Sequence, residues 1–368
     1  MIYLVALLMA LICAVYNRRF DSASRKLLYW GLCIFVILIL GLRYRVGIDT
    51  LNYMLSYDKM PDWDTFKNLD ISEQEREPGW LLLSILCRTF THEFWPLQFV
   101  MAAITNICTF IFIKRYCKNI FIGVFFYFLI VCLYFTTEII RESAAIAIFL
   151  VNYENIEKKR WLKYYILSFL SIAFHYSAII IWFFPFVKFL KFNVFYVCFC
   201  VFSFIITPYV EQLNALLTFA SITNRVEHYI SYADSLNLNW RIAQLLTSAL
   251  PPVLCLIINR KKNIIKDEYF KGILLLQILL CFAAFSIPLV FSRFTNYTIL
   301  FYIVVLSNII TISRVSKIAK IGLLSIVLVL SAYNYSSKYN QWFPYSSVLN
   351  PTKSQDRENQ WRVEFKRF

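Results

Sequence analysis

Between Phe121 and Val151 the chain is apolar almost throughout, yet it carries Glu138, Arg141 and Glu142 in its middle. A bilayer core is crossed by about 20 helical residues. The run is too long for one crossing and fits two, so the charges fall where the second helix begins, near one face of a membrane. Glu138 stands three residues before Arg141 and four before Glu142, a spacing that lets them share one helix face. An ionisable group at membrane depth costs free energy and marks a site by default. The plainer reading is a membrane-edge ion pair that orients the helix.

Composition agrees with a membrane class. Hydrophobic residues make up 60% of the chain and charged residues 16%, outside the range of ordinary soluble domains. The 35 Phe and 24 Tyr suit aromatic belts at lipid headgroups. A formal net charge of +15 invites a nucleic-acid reading, but no RNA- or DNA-binding module is visible. Basic cytoplasmic loops are the simpler source of that charge.

The expected fold is all-α, a polytopic integral membrane protein with about twelve transmembrane helices. Their spans are 2–16, 28–42, 95–113, 120–136, 139–153, 162–174, 176–188, 193–209, 241–259, 272–290, 296–312 and 321–335. Several are short and need tilt or local bilayer thinning. Residues 79–91 are apolar but too short to cross, and they contain Arg88; an interfacial or re-entrant helix is expected there. One polytopic membrane domain is expected over 1–350, followed by a charged tail, 351–368.

With the amino terminus outside, 21 of the 37 Lys and Arg residues fall in compact clusters at 18–26, 114–118, 158–163, 188–191, 260–271 and 314–320. The rest are scattered over longer outer segments. That asymmetry assigns the compact clusters to the cytoplasm. It places the loops near 43–78 and 210–240 and the tail from about 336 outside, with both termini outside. The first helix lacks a basic stretch before its apolar run and reads as a retained helix, not a signal peptide.

The ten cysteines form no C-x-x-C pair and read as small buried hydrophobes. His92, His175 and His228 are too dispersed for a zinc site. No nucleotide-binding glycine motif appears, and there is no tandem repeat. No metal and no cofactor is expected.

Polar residues gather instead on the predicted outer side. Arg43, Arg45, Gly47, Asp49, Asn52 and Tyr53 follow the second span. Two arginines beside a glycine can grip an oxyanion bidentately; the plainer reading is a turn with snorkelling arginines. Glu77-Pro-Gly-Trp80 reads as a helix start. His175, in Ala173-Phe-His-Tyr-Ser177, is a general-base candidate or a satisfied structural group. Arg293, among aromatic neighbours, suits stacking on a sugar-bearing ligand or a plain interfacial anchor. Arg241 and Arg225 are weaker candidates of that kind. Trp342-Phe-Pro-Tyr345 is an aromatic cluster that packs on the outer surface or shapes a cleft.

Taken in order, these marks resemble the EpsG family of polytopic bacterial membrane proteins. They are Arg45-x-Gly-x-Asp-x-x-x-Tyr53, Glu77-Pro-Gly-Trp80, Ile140-Arg-Glu-Ser-Ala144, the basic Lys158-Lys-Arg-Trp161, Ala173-Phe-His-Tyr-Ser177, Arg293-Phe-x-Asn-Tyr297 and Phe343-Pro-Tyr345. Thr50 departs from the pattern, where an aromatic residue is expected. The resemblance runs to about Asn350. It implies an enzyme of the bacterial cytoplasmic membrane, a polymerase of exopolysaccharide, capsule or O-antigen. Such a protein transfers a glycan from polyprenyl diphosphate to a lipid-linked repeat unit on the outer side. The implied partners are the polyprenyl-diphosphate-linked oligosaccharide, membrane lipids and a chain-length regulator.

Under that reading Arg141 and Arg45 hold diphosphate, Arg293 and Arg43 assist, and His175 or Glu142 is the base. Asp49 or Glu138 orients an arginine or a sugar hydroxyl, and Tyr345 lines the substrate. Two other classes stay open. One is a flippase for the same lipid-linked sugar, which calls for paired halves or broken helices. The other is a membrane O-acyltransferase that modifies the glycan.

Overall fold

The computed structural model describes residues 2–64, 66, 77–205 and 238–351. Among them the fold is helical, and the extended pairings are isolated bridges of Ser347 with Arg43 and with Asn350. The helices are α1 (Ile2–Tyr16), α2 (Ser22–Gly41), α3 (Ile48–Asp58), α4 (Pro78–Phe90), α5 (Trp95–Tyr116) and α6 (Ile120–Thr137). They continue as α7 (Ile140–Glu157), α8 (Trp161–Phe174), a 3-10 segment (Tyr176–Phe189) and α9 (Val194–Ile205). The last group is α10 (Leu238–Lys262), α11 (Glu268–Ser286), α12 (Pro288–Asn296), α13 (Ile299–Thr311), α14 (Lys317–Ser337) and α15 (Tyr339–Trp342).

Local sequence sets many of these starts. Asp21 accepts hydrogen bonds from the Ala23 and Ser24 amides and caps α2. Asn119 does the same for Phe121 and Ile122 at α6, and Asp267 for Phe270 at α11. Each satisfies amide donors that the first helical turn leaves without partners. Pro78 begins α4, where the missing N–H costs nothing.

Among the described residues six helices are long and apolar enough to cross a membrane: α2, α5, α6, α10, α11 and α14. A bent pair, Val290–Asn296 with Ile299–Thr311 at 48°, makes a seventh if it is one span. The expected count of about twelve is therefore not reached by length and composition. The reason is local. α1, α8 and the 3-10 segment are shorter apolar pieces, and α7 carries Arg141, Glu142, Glu154 and Glu157 at its two ends. α4 matches the short helix expected at 79–91. The segment 43–78 is not simply a loop, since α3 occupies much of it. Most of the expected loop at 210–240, with Arg225 and His228, lies outside the described residues, as does the tail after Pro351.

The chain divides into two compact units. One is Met1–Ala178 with the segment from Ser331 onward, and the other is Ile179–Leu330. In the first unit α5 packs against α2 and α7, and α7 against α8. Several of its buried polar groups pair with one another, as burial favours. Tyr127 donates to Asn106 Oδ1 (3.1 Å), and Asn152 Nδ2 donates to the Tyr164 carbonyl (2.8 Å). In the second unit α11 packs with α9, α10 and α12. Thr298 donates to Gln277, and Tyr196 donates to the Leu275 carbonyl (2.7 Å).

Candidate functional site

Three helix ends of the first unit meet around one carboxylate. Glu77 stands at the start of α4, but its side chain makes no capping bond to the helix. Oε1 lies 2.6 Å from His175 Nδ1, and Oε2 accepts a hydrogen bond from Arg141 Nη1. Arg141 belongs to the first turn of α7, and His175 is the residue that closes α8. On the other side of the imidazole, Nε2 lies 3.6 Å from Glu142 Oε2. The arrangement is an alternation of acids and bases: Arg141, Glu77, His175, Glu142.

A glycine permits the approach of these elements. A Cβ on Gly79 would stand 2.8 Å from the Ala173 carbonyl oxygen and 3.0 Å from its carbon. Only hydrogen fits there, so α4 can begin directly against the end of α8. Aromatic rings form the wall. The Arg141 guanidinium carbon is 5.7 Å from the Tyr53 ring centroid and 5.9 Å from that of Trp80, within cation–π reach. The two rings are 5.5 Å apart.

Glu77 is 4% exposed and Glu142 3%. Burial alone would raise the Glu77 carboxyl. The hydrogen bond from His175 and the Arg141 charge outweigh it and hold the carboxyl at about 2. Glu77 is thus a fixed anion at neutral pH, and the ion pair is stronger for being out of water. The Arg141 Nε atom is buried and has no hydrogen-bond partner among the described residues.

A second polar knot lies one turn earlier in sequence. Glu138 Oε1 accepts from the Trp342 indole N–H (2.9 Å) and from Thr137 Oγ1 (3.0 Å), and Oε2 from the Asp49 amide (3.2 Å). Tyr53 donates to the Glu138 carbonyl (3.2 Å) and so links the two knots. Gly47 has φ +97°, and a Cβ there would meet Thr137 Cβ at 2.8 Å. The left-handed backbone and the close approach both call for glycine. The half-buried Lys338 ammonium sits 4.4 Å from the Tyr134 ring centroid and 5.3 Å from that of Trp342.

The expected site residues therefore separate. The structure brings Arg141, His175 and Glu142 together. Arg43 is 1% exposed, and its Nε and Nη1 donate to the carbonyls of Val46 (3.3 Å) and Leu40 (2.5 Å). These bonds tie the end of α2 to the turn that follows. Glu138 holds the Asp49 amide, Thr137 and Trp342. Tyr345 donates to the Ile39 carbonyl (3.0 Å) and meets Tyr3 edge-on at 5.5 Å, so it packs the tail onto α1 and α2. Arg45 stays half-buried at a left-handed turn (φ +50°), its guanidinium over the Tyr44 ring. Asp49 lends its amide to Glu138 and is half-buried itself.

Arg293 lies on α12 of the second unit. Arg241, also there, donates to the carbonyls of Phe285 and Ser286 at the end of α11, a favourable place for a cation. Sequence reading took Glu77 for a helix start, placed Trp342 only in an aromatic cluster, and gave no role to Lys338. One signal for Glu77 was present: glutamate is not among the favoured capping residues, so an acid there before an apolar helix needs another partner.

A family model described as the EpsG family matches residues 26–347. The chain belongs to the EpsG family. The matched segment runs from α2 to beyond Tyr345 and holds every residue of both polar knots. No curated protein matches the chain, and no solved structure does. EpsG membership and the apolar helices are consistent with a membrane protein of the exopolysaccharide-polymerase type.

Proposed function

We propose that this EpsG-family chain is a polysaccharide polymerase of the bacterial cytoplasmic membrane. It joins lipid-linked repeat units on the outer side, with both termini on that side. The observation that carries the reading is the alternation Arg141–Glu77–His175–Glu142 at three meeting helix ends. It sets an arginine for anion binding beside a histidine and carboxylate for proton transfer. The donor is a glycan on polyprenyl diphosphate, and the acceptor is a repeat unit on a second such lipid. An acceptor hydroxyl oxygen bonds to the anomeric carbon while the bond from that carbon to the diphosphate oxygen breaks. The hydroxyl proton passes to His175 or Glu142, and polyprenyl diphosphate leaves with the electron pair. Arg141, with Arg45 as second cation, stabilises the charge that develops on it. The diphosphate is already an activated leaving group, so the step needs no nucleotide. A chain-length regulator is a proposed partner.

The test is a glycan size profile. Purified protein in proteoliposomes, given a polyprenyl-diphosphate-linked repeat unit, should yield a ladder of longer lipid-linked glycans. H175Q and E142Q should each reduce the rate, the stronger by roughly 10²-fold or more. In cells lacking the gene, single repeat units should reach the outer face and stay unlengthened. Repeat units retained on the cytoplasmic side would instead support the flippase reading. Normal chain length with a missing acyl group would support the acyltransferase reading.

A further inference from the structure

The site holds one carboxylate more than acid–base transfer requires, and that carboxylate grips the histidine from behind. We propose that Glu77 is a positioning residue that fixes the proton of the His175 ring on Nδ1, so that Nε2 is the nitrogen that takes the acceptor proton. For its catalytic consequence the inference rests on the polymerase reading; for the ring itself it does not.

The geometry carries it. At 2.6 Å from a carboxylate oxygen, Nδ1 must be the donor, because an anionic carboxylate only accepts. The neutral ring then has its lone pair on Nε2. Glu77 cannot turn away, since its other oxygen is held by Arg141 and its backbone is pressed onto α8 at Gly79. Nε2 faces Glu142 at 3.6 Å, beyond hydrogen-bond length. A sugar hydroxyl beside the imidazole donates to Nε2, and a neighbouring hydroxyl of the same sugar donates to Glu142. When the hydroxyl oxygen bonds to the anomeric carbon, its proton moves to Nε2. The resulting imidazolium lies against the Glu77 carboxylate, which stabilises it, and the electron pair of the broken bond leaves with the diphosphate. Arg141 keeps Glu77 ionised and in place.

The first readout is spectroscopic. The chain has three histidines, so 15N-histidine labelling gives few signals, and the one lost in H175Q belongs to His175. In the wild-type neutral ring, Nδ1 should be protonated and Nε2 bare. In E77Q, whose amide nitrogen donates to Nδ1, the proton should move to Nε2. The second readout is kinetic, in the proteoliposome assay. E77Q should lose roughly 10²-fold or more in kcat with KM within about threefold, as expected for a ring held in the wrong tautomer. E77D, which keeps the carboxylate, should restore the Nδ1–H ring and part of kcat.

A wild-type ring with its proton on Nε2 overturns the inference, and this measurement needs no variant to fold. So does an E77Q protein with unchanged tautomer and kcat. A wild-type protein that lengthens no glycan sinks the polymerase reading, while the tautomer still decides what Glu77 does.

Discussion

Glu77 divides one carboxylate between two partners, so its partners are not independent. Removing Arg141 leaves a buried anion short of a cation, a change that costs about 3–5 kcal/mol in comparable buried pairs. The sign of the pH effect follows. The carboxyl is held at about 2 against an ordinary value of 4.5. Its contribution is therefore complete above about 4.5 and is lost as pH falls toward 2. R141A should lose less thermal stability than wild type as pH falls from 5 to 3, because its carboxyl, held down by His175 alone, has a smaller contribution to lose. Thermal midpoints of detergent-purified protein between pH 7 and pH 3 read this directly, and parallel curves for the two proteins would refute it. At this scale the sequence was half legible. It pointed to Arg141, His175 and Glu142 because charge is rare in apolar helices. It could not tell Arg43 from Arg45, which stand two residues apart. One is enclosed by main-chain carbonyls and the other lies over a ring, a difference made by the fold of the turn and not by residue type.

Among the elements, the α4–α8 junction sets how close Glu77 comes to His175. G79A adds a methyl that must push the start of α4 off the Ala173 carbonyl. Misplacement of a catalytic group by about 1 Å costs up to 10²-fold in rate. G79A should thus lose at least roughly tenfold in polymer yield at normal protein level. Gly31 is the control, since a Cβ there meets nothing within 4 Å; G31A should match wild type in both respects. Equal activity of G79A and wild type would mean that the junction tolerates separation. The existence of α4 was readable from its proline start and apolar run. Its contact with α8 was not, because a glycine inside Glu77-Pro-Gly-Trp80 looks like turn punctuation until its neighbour is known.

At the level of the whole chain, the last described segment returns to the first unit. Tyr44 donates to the Ser346 carbonyl (2.8 Å), Val348 to that of Leu42 (2.9 Å) and Gly47 to that of Gln341 (3.0 Å). Trp342 reaches Glu138 across 204 positions of sequence. A chain stopped after Lys338 should make no long glycan, whereas one stopped at Asn350 keeps all of these contacts and should polymerise. Glycan ladders from the two truncations, normalised to membrane protein level, make the comparison; equal ladders would count against the tail. The helical membrane class was plain from composition. The crossing count was not, because short helices and a bent pair share one apolar pattern with full spans.

The return of this segment has a consequence for synthesis. A ribosome releases Trp342 long after Glu138 has been made. Until then the indole that holds Glu138, and through it the carbonyl gripped by Tyr53, is missing. A nascent chain that stops short of Trp342 therefore lacks the ring that holds Glu138, and the second polar knot closes only once that residue has been made.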